Sequence, residues 1–92
     1  IYALRVKGMS MIDAFIADGD IVVMEATQSL EDGEMAAVWL KEEQEVTLKR
    51  IYRELGRIRL QPANEQMAPI YVNPENVEVQ GKVVAVLRKL NR

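Results

Sequence analysis

Apolar residues in this chain come in short bursts separated by turn residues, and the bursts are rich in β-branched side chains. Tyr2-Ala3-Leu4-Arg5-Val6 predicts a first strand, and Gly8 then allows a tight change of direction. Met9 to Ile16 predicts a short helical turn, since Ser10 and Asp13 have the spacing of a capping box. Asp18-Gly19-Asp20 is a turn, and Ile21-Val22-Val23-Met24 a buried strand. Glu31-Asp32-Gly33 turns the chain into a strand over Met35 to Leu40. Lys41-Glu42-Glu43-Gln44 reads as a solvated hairpin tip before a long strand from Glu45 to Arg53. A charged helix over 40–55 competes with that hairpin, because the tip residues favour helix, but Val46, Thr47, Ile51 and Tyr52 favour strand.

Leu55-Gly56-Arg57 turns into Ile58-Arg59-Leu60, and prolines at 62 and 69 bracket a loop. Short strands follow at Ile70-Tyr71-Val72 and at Val77-Glu78-Val79-Gln80, whose alternation fits a half-buried strand. Gly81 marks a bulge or bend, and a last strand runs from Lys82 to Leu90. Many short strands at near-regular spacing predict an all-β, single-domain fold across residues 1–92. The last strand is apolar on both faces, with Val83, Ala85 and Leu87 on one side and Val84 and Val86 on the other. One face can enter the core, and the other needs a cover, which a second copy of the chain would supply.

Composition narrows the chemistry. The charges nearly balance, with 12 basic and 14 acidic side chains, so there is no basic footprint for nucleic acid. No apolar run approaches the roughly 20 residues that span a bilayer, and no signal peptide is visible, so the expectation is a cytoplasmic protein away from membranes. Cysteine and histidine are both absent. That excludes thiol chemistry, a Ser-His-Asp triad and a histidine-based metal site within the chain, and neither a metal nor a cofactor is expected. A hydrolase built from these residues would need Lys, Asp or Glu as its base.

There are two serines, and Ser29 lies in a turn. Serine needs an adjacent base to become a nucleophile. Lysine can be that base when burial in apolar surroundings keeps its amine neutral. Lys49 has apolar neighbours in Val46, Leu48 and Ile51, and Thr47 shares its strand face, where a hydroxyl could hold the amine. Ser10 at the start of a helical turn lies beside backbone N–H groups without helical acceptors, and those of Met9 and Ser10 could face a developing oxyanion. Taken singly, each residue has a plainer use: Ser10 as a helix cap, Lys49 as a solvated strand lysine, Thr47 as a strand residue, and the methionines as core filling.

The joint pattern is more specific. Gly8-Met9-Ser10-Met11, Asp18-Gly19-Asp20, Thr27-Gln28, Gly33, Glu45-Val46-Thr47-Leu48-Lys49-Arg50, Pro62, Asn64, Pro69-Ile70 and Gly81 occur in one order along the whole chain. This order resembles the peptidase domain of the LexA-type self-cleaving repressors, a family that includes UmuD and is more distantly similar to the membrane-anchored signal peptidases. Met9 favours the LexA branch over UmuD.

The resemblance implies a compact β domain in which Ser10 attacks a peptide bond and Lys49 takes its proton. In the family the bond is a single Ala-Gly link N-terminal to the peptidase core. A RecA filament on single-stranded DNA favours the cleavable conformation, and cutting relieves repression of DNA-damage genes. The family also pairs as a homodimer through the C-terminal region and holds operator DNA through an N-terminal winged helix-turn-helix domain. This chain contains neither that domain nor an Ala-Gly dipeptide, so it reads as the C-terminal portion. A catalytically silent dimerisation module and a small β-barrel binding module unrelated to peptidases are the other readings.

Overall fold

A computed structural model of the chain describes residues 1–88. It contains seven strands: β1 Tyr2–Arg5, β2 Ile21–Ala26, β3 Met35–Leu40, β4 Glu45–Glu54, β5 Arg57–Gln61, β6 Ile70–Val72 and β7 Val77–Leu87. They form one sheet in the order β1-β2-β7-β3-β4-β5-β6, with every neighbouring pair antiparallel. Two three-residue 3-10 turns, Ile12–Ala14 and Pro74–Asn76, are the helical elements among the described residues. The expected all-β fold is therefore present, and no helix among those residues is long and apolar enough to cross a membrane.

The helix reading of 40–55 loses for a local reason and a packing reason. Gln44 adopts φ 56°, a left-handed conformation that closes the β3–β4 hairpin and breaks any helix there. Along β4, Ile51 is 4% exposed opposite Leu60 at 0%, in a core cluster with Leu30, Ala36, Val38 and Leu40. A second cluster gathers Met11, Ile16, Val22, Met24 and Ala37, with Leu4, Leu48 and Val83 packed on it. β3 serves both clusters, which is why its middle is apolar without alternation.

The two halves of the sheet are joined by β7. Residues Val77–Lys82 pair with β3, whereas Gly81–Leu87 pair with β2, so only Gly81 and Lys82 have partners on both sides. The register slips by one residue against each partner, leaving Gln80 and Val84 as the extra residues of two bulges. Gly81 thus sits at a bend, as expected, but it does not separate two strands: β7 is continuous through it. A Cβ there would lie 2.6 Å from Tyr2 Oη and 2.7 Å from the Glu25 carbonyl oxygen, so only glycine fits this crossing. Past Lys82 the β3 side of β7 has no strand partner among the described residues, and Val84, Val86 and Leu87 are exposed; of the apolar residues in this stretch, Val83 is the one that packs on the core. The expected end of this strand at Leu90 lies outside the described residues.

Candidate active site around Ser10 and Lys49

The chain leaves β1 through Gly8, whose φ of +85° only glycine adopts easily and whose N–H donates to Asp18 Oδ1 at 2.7 Å. It then coils tightly. Ile12 N–H reaches the Met9 carbonyl at 3.3 Å, and Ala14 and Ile16 N–H reach the Met11 carbonyl at 3.0 and 3.2 Å. Met11 and Ile16, each 1% exposed, anchor the coil in the second cluster. The loop after β5 clamps it from outside: Asp13 N–H donates to the Ala63 carbonyl at 2.6 Å, Asp13 Oδ2 accepts from Glu65 N–H at 2.8 Å, and Asn64 Nδ2 donates to the Met9 carbonyl at 2.7 Å.

The capping box expected between Ser10 and Asp13 does not form. The helical turn is a single 3-10 turn preceded by Met11, with no side-chain cap. Partners distant in sequence take both side chains instead: Glu65 N–H engages the Asp13 carboxylate, and Lys49 engages the Ser10 hydroxyl.

Lys49 arrives from β4. Its Nζ donates to Ser10 Oγ at 3.1 Å and to Thr47 Oγ1 at 2.6 Å, so the three residues singled out in the sequence meet at one point. Thr47 and Lys49 are two apart on a strand and share a face, which lets the hydroxyl hold the amine. Lys49 is 8% exposed, and none of the ion pairs among the described residues involves it. Burial pushes its ammonium below the ordinary lysine range, opposed by the nearby Glu45 carboxylate. Hydroxyl partners solvate an amine without stabilising its charge as a carboxylate would. This arrangement suits an amine that must lose its proton.

Ser10 and Lys49 lie in a cavity of about 230 Å³ between β1 and β4. Leu4, Val6, Met11, Val22, Ala37 and Leu48 give it apolar walls. Among the described residues, the N–H groups of Met9 and Ser10 donate no hydrogen bond within the chain. The site therefore combines a hydroxyl, a buried amine, unengaged amides and an apolar slot, the parts that acyl transfer requires.

The profile of the Peptidase S24-like family matches residues 1–84. The chain belongs to the Peptidase S24-like family. Within it, this S24-like chain is 59% identical over 90 residues to a LexA repressor of Herpetosiphon aurantiacus, covering 98% of the chain and 42% of that protein. It is 53% identical to a LexA repressor of a Roseiflexus species, over 98% of the chain and 41% of the relative. A LexA repressor of Koribacter versatilis is 49% identical, over 97% and 42%. The chain thus spans about two-fifths of the length of these relatives. The resemblance to a LexA-type peptidase domain, drawn from the order of motifs, is borne out.

The partners in other long-range contacts of this S24-like site carried no sequence signal. Asn64 belonged to the ordered motif pattern but without a role, and its bond to Met9 spans 55 positions. Arg88 binds Asp20 through both carboxylate oxygens, at 2.9 and 2.8 Å, and also reaches the Phe15 carbonyl at 3.0 Å. It ties the end of β7 to the coil that carries Ser10.

Proposed function

We propose that this chain is the C-terminal domain of a LexA-type transcriptional repressor of the DNA-damage response, a serine peptidase that cuts its own protein at one Ala-Gly bond N-terminal to the domain. The observation that carries this reading is the 3.1 Å contact between Ser10 Oγ and a buried Lys49 Nζ. Neutral Lys49 accepts the Ser10 proton while Oγ attacks the carbonyl carbon of the scissile bond. The N–H groups of Met9 and Ser10 stabilise the oxyanion. Protonated Lys49 then gives its proton to the departing amine, and water hydrolyses the acyl-serine by the same relay. Thr47 holds the amine on the Ser10 side throughout.

The same reading assigns partners. A RecA filament on single-stranded DNA acts as co-protease, operator DNA is held by an N-terminal domain outside this chain, and two copies pair through the C-terminal strand. The open β3-side edge of β7 beyond Lys82, with its exposed valines, supports the homodimer.

The test supplies the folded chain with a second chain bearing the Ala-Gly segment and follows cleavage against pH. The rate rises as Lys49 loses its proton and levels off above its pKa, which lies below the ordinary lysine value. Ser10→Ala abolishes cleavage at every pH, and Lys49→Arg is nearly as inactive because guanidinium stays protonated. A folded Ser10→Ala variant that cleaves as fast as the parent refutes the assignment. A parent inactive at alkaline pH favours a silent dimerisation module.

A further inference from the structure

We propose that Asn64 is a positioning residue for this reaction: its side-chain amide fixes the Met9–Ser10 peptide so that the Ser10 N–H faces the groove as an oxyanion donor. This rests on the peptidase reading above and adds a residue to it.

The Met9 carbonyl and the Ser10 N–H belong to one planar trans peptide unit and point in opposite directions. Whatever fixes the carbonyl also aims the N–H. Asn64 Nδ2 holds the Met9 carbonyl at 2.7 Å, while the only other donor to it among the described residues, Ile12 N–H, stands at 3.3 Å. The Ser10 N–H is left with no acceptor within the described residues, and Ser10 lines the groove.

Asn64 is itself oriented. Its Oδ1 accepts from Gln66 N–H at 2.8 Å, which settles which end of the amide faces Met9. Its neighbours Ala63 and Glu65 are bonded to Asp13, three residues after Ser10 in the chain. The loop therefore grips the nucleophile coil before and after Ser10, and Asn64 is its one contact to the Met9–Ser10 peptide. A hydrogen bond to a carbonyl also polarises its amide and strengthens the N–H as a donor. Among the described residues Asn64 makes no hydrogen bond to Ser10 Oγ or Lys49, so its effect on the reaction runs through the oxyanion and leaves the base alone.

Two variants isolate the effect. Asn64→Ala removes both amide functions, and Asn64→Asp keeps the oxygen that accepts from Gln66 but loses the donor to Met9. With folding verified by circular dichroism, cleavage of the added Ala-Gly chain is measured as kcat, KM and pH profile. Removing an oxyanion donor outright costs about 10²–10³-fold in kcat, so misaiming one is expected to lower kcat about 10- to 100-fold. KM and the pH midpoint of Asn64→Ala should match the parent. A peptide boronate, whose adduct with Ser10 places an oxygen in the oxyanion position, should lose affinity by a similar factor. In the parent, boronate binding should move the Ser10 amide proton downfield.

An unchanged kcat in a folded variant overturns the proposal. So does a loss explained by KM, a displaced pH midpoint in Asn64→Ala, or a Ser10 amide that ignores the boronate. An inactive parent that binds no boronate overturns the peptidase reading and this inference with it, whereas an active parent with indifferent Asn64 variants overturns this inference alone.

Discussion

Gly81→Ala tests the crossing on which the sheet depends. The new methyl carbon would stand 2.6 Å from Tyr2 Oη and 2.7 Å from the Glu25 carbonyl oxygen. The tyrosine oxygen ends a side chain and can move. The carbonyl is backbone of β2, held where Glu25 pairs with Lys82 and Ala26 with Gly81, and cannot retreat without opening the β2–β7 ladder. Forcing a methyl into such a site costs about 1–3 kcal/mol. For a domain of this size each kcal/mol lowers Tm by about 4–8 °C, so a loss near 2 kcal/mol corresponds to ~8–16 °C. Thermal unfolding followed by circular dichroism measures it. Tyr2→Phe separates the two contacts, because it removes a buried hydroxyl that has no partner and is itself close to neutral or stabilising. When Tyr2→Phe is already present, the cost of Gly81→Ala should shrink but persist, since the Glu25 contact remains. An alanine variant as stable as the parent refutes the close crossing, and a cost that Tyr2→Phe leaves unchanged removes Tyr2 from the account.

The remaining predictions concern charge and surface. Lys49→Met should end cleavage and flatten the pH dependence of stability. The depressed pKa means the folded parent gives up its proton first, so the parent gains stability relative to the variant from its folded pKa up to about 10.5, and parallel stability curves would refute this. Asp20 is held down to about 2 by the Arg88 guanidinium and then by Ala17 N–H, so its stabilisation is present above the ordinary value of 3.8 and lost as pH falls through 2. Asp20→Asn should therefore be less stable than the parent at neutral pH, with the gap closing in acid unfolding near pH 2. Val86→Lys, at an exposed position of the open β7 edge, should shift sedimentation towards monomer while leaving the monomer folded.

Much of this architecture could be read along the chain because its signals are local. β-branched runs specify β2 and β4, and the polar tetrad Lys41–Gln44 specifies a hairpin tip. The burial of Lys49 followed from its neighbours Leu48 and Ile51, and its contact with Thr47 from the two-residue period of a strand. What escaped was non-local. Ser10 and Asp13 have the spacing of a capping box, but a lysine 39 positions away and a backbone amide 52 positions away compete for their side chains and win. The Asn64–Met9 and Asp20–Arg88 contacts join segments 55 and 68 residues apart, and no periodicity encodes such pairs. The Gly81 bend was legible, but the continuity of β7 through it depends on pairing with Ala26 on one side and Ala37 on the other, from distant parts of the fold.

The shared strand also bears on the order in which the candidate site can assemble. β1 and β2 carry the coil with Ser10, and β3 and β4 carry Lys49. Within the sheet of the described residues, these two antiparallel pairs are joined through β7 alone, which the ribosome makes after all of them. Non-local strand pairing waits for loop closure. A nascent chain stalled before Val77 would join the two hairpins only through the Met11 cluster and the Ala63–Glu65 loop, so its Ser10 should react with the peptide boronate more slowly than in the finished domain. On the proposed function, a site completed only by its last strand would acquire its reactivity late, after the rest of the domain has been made.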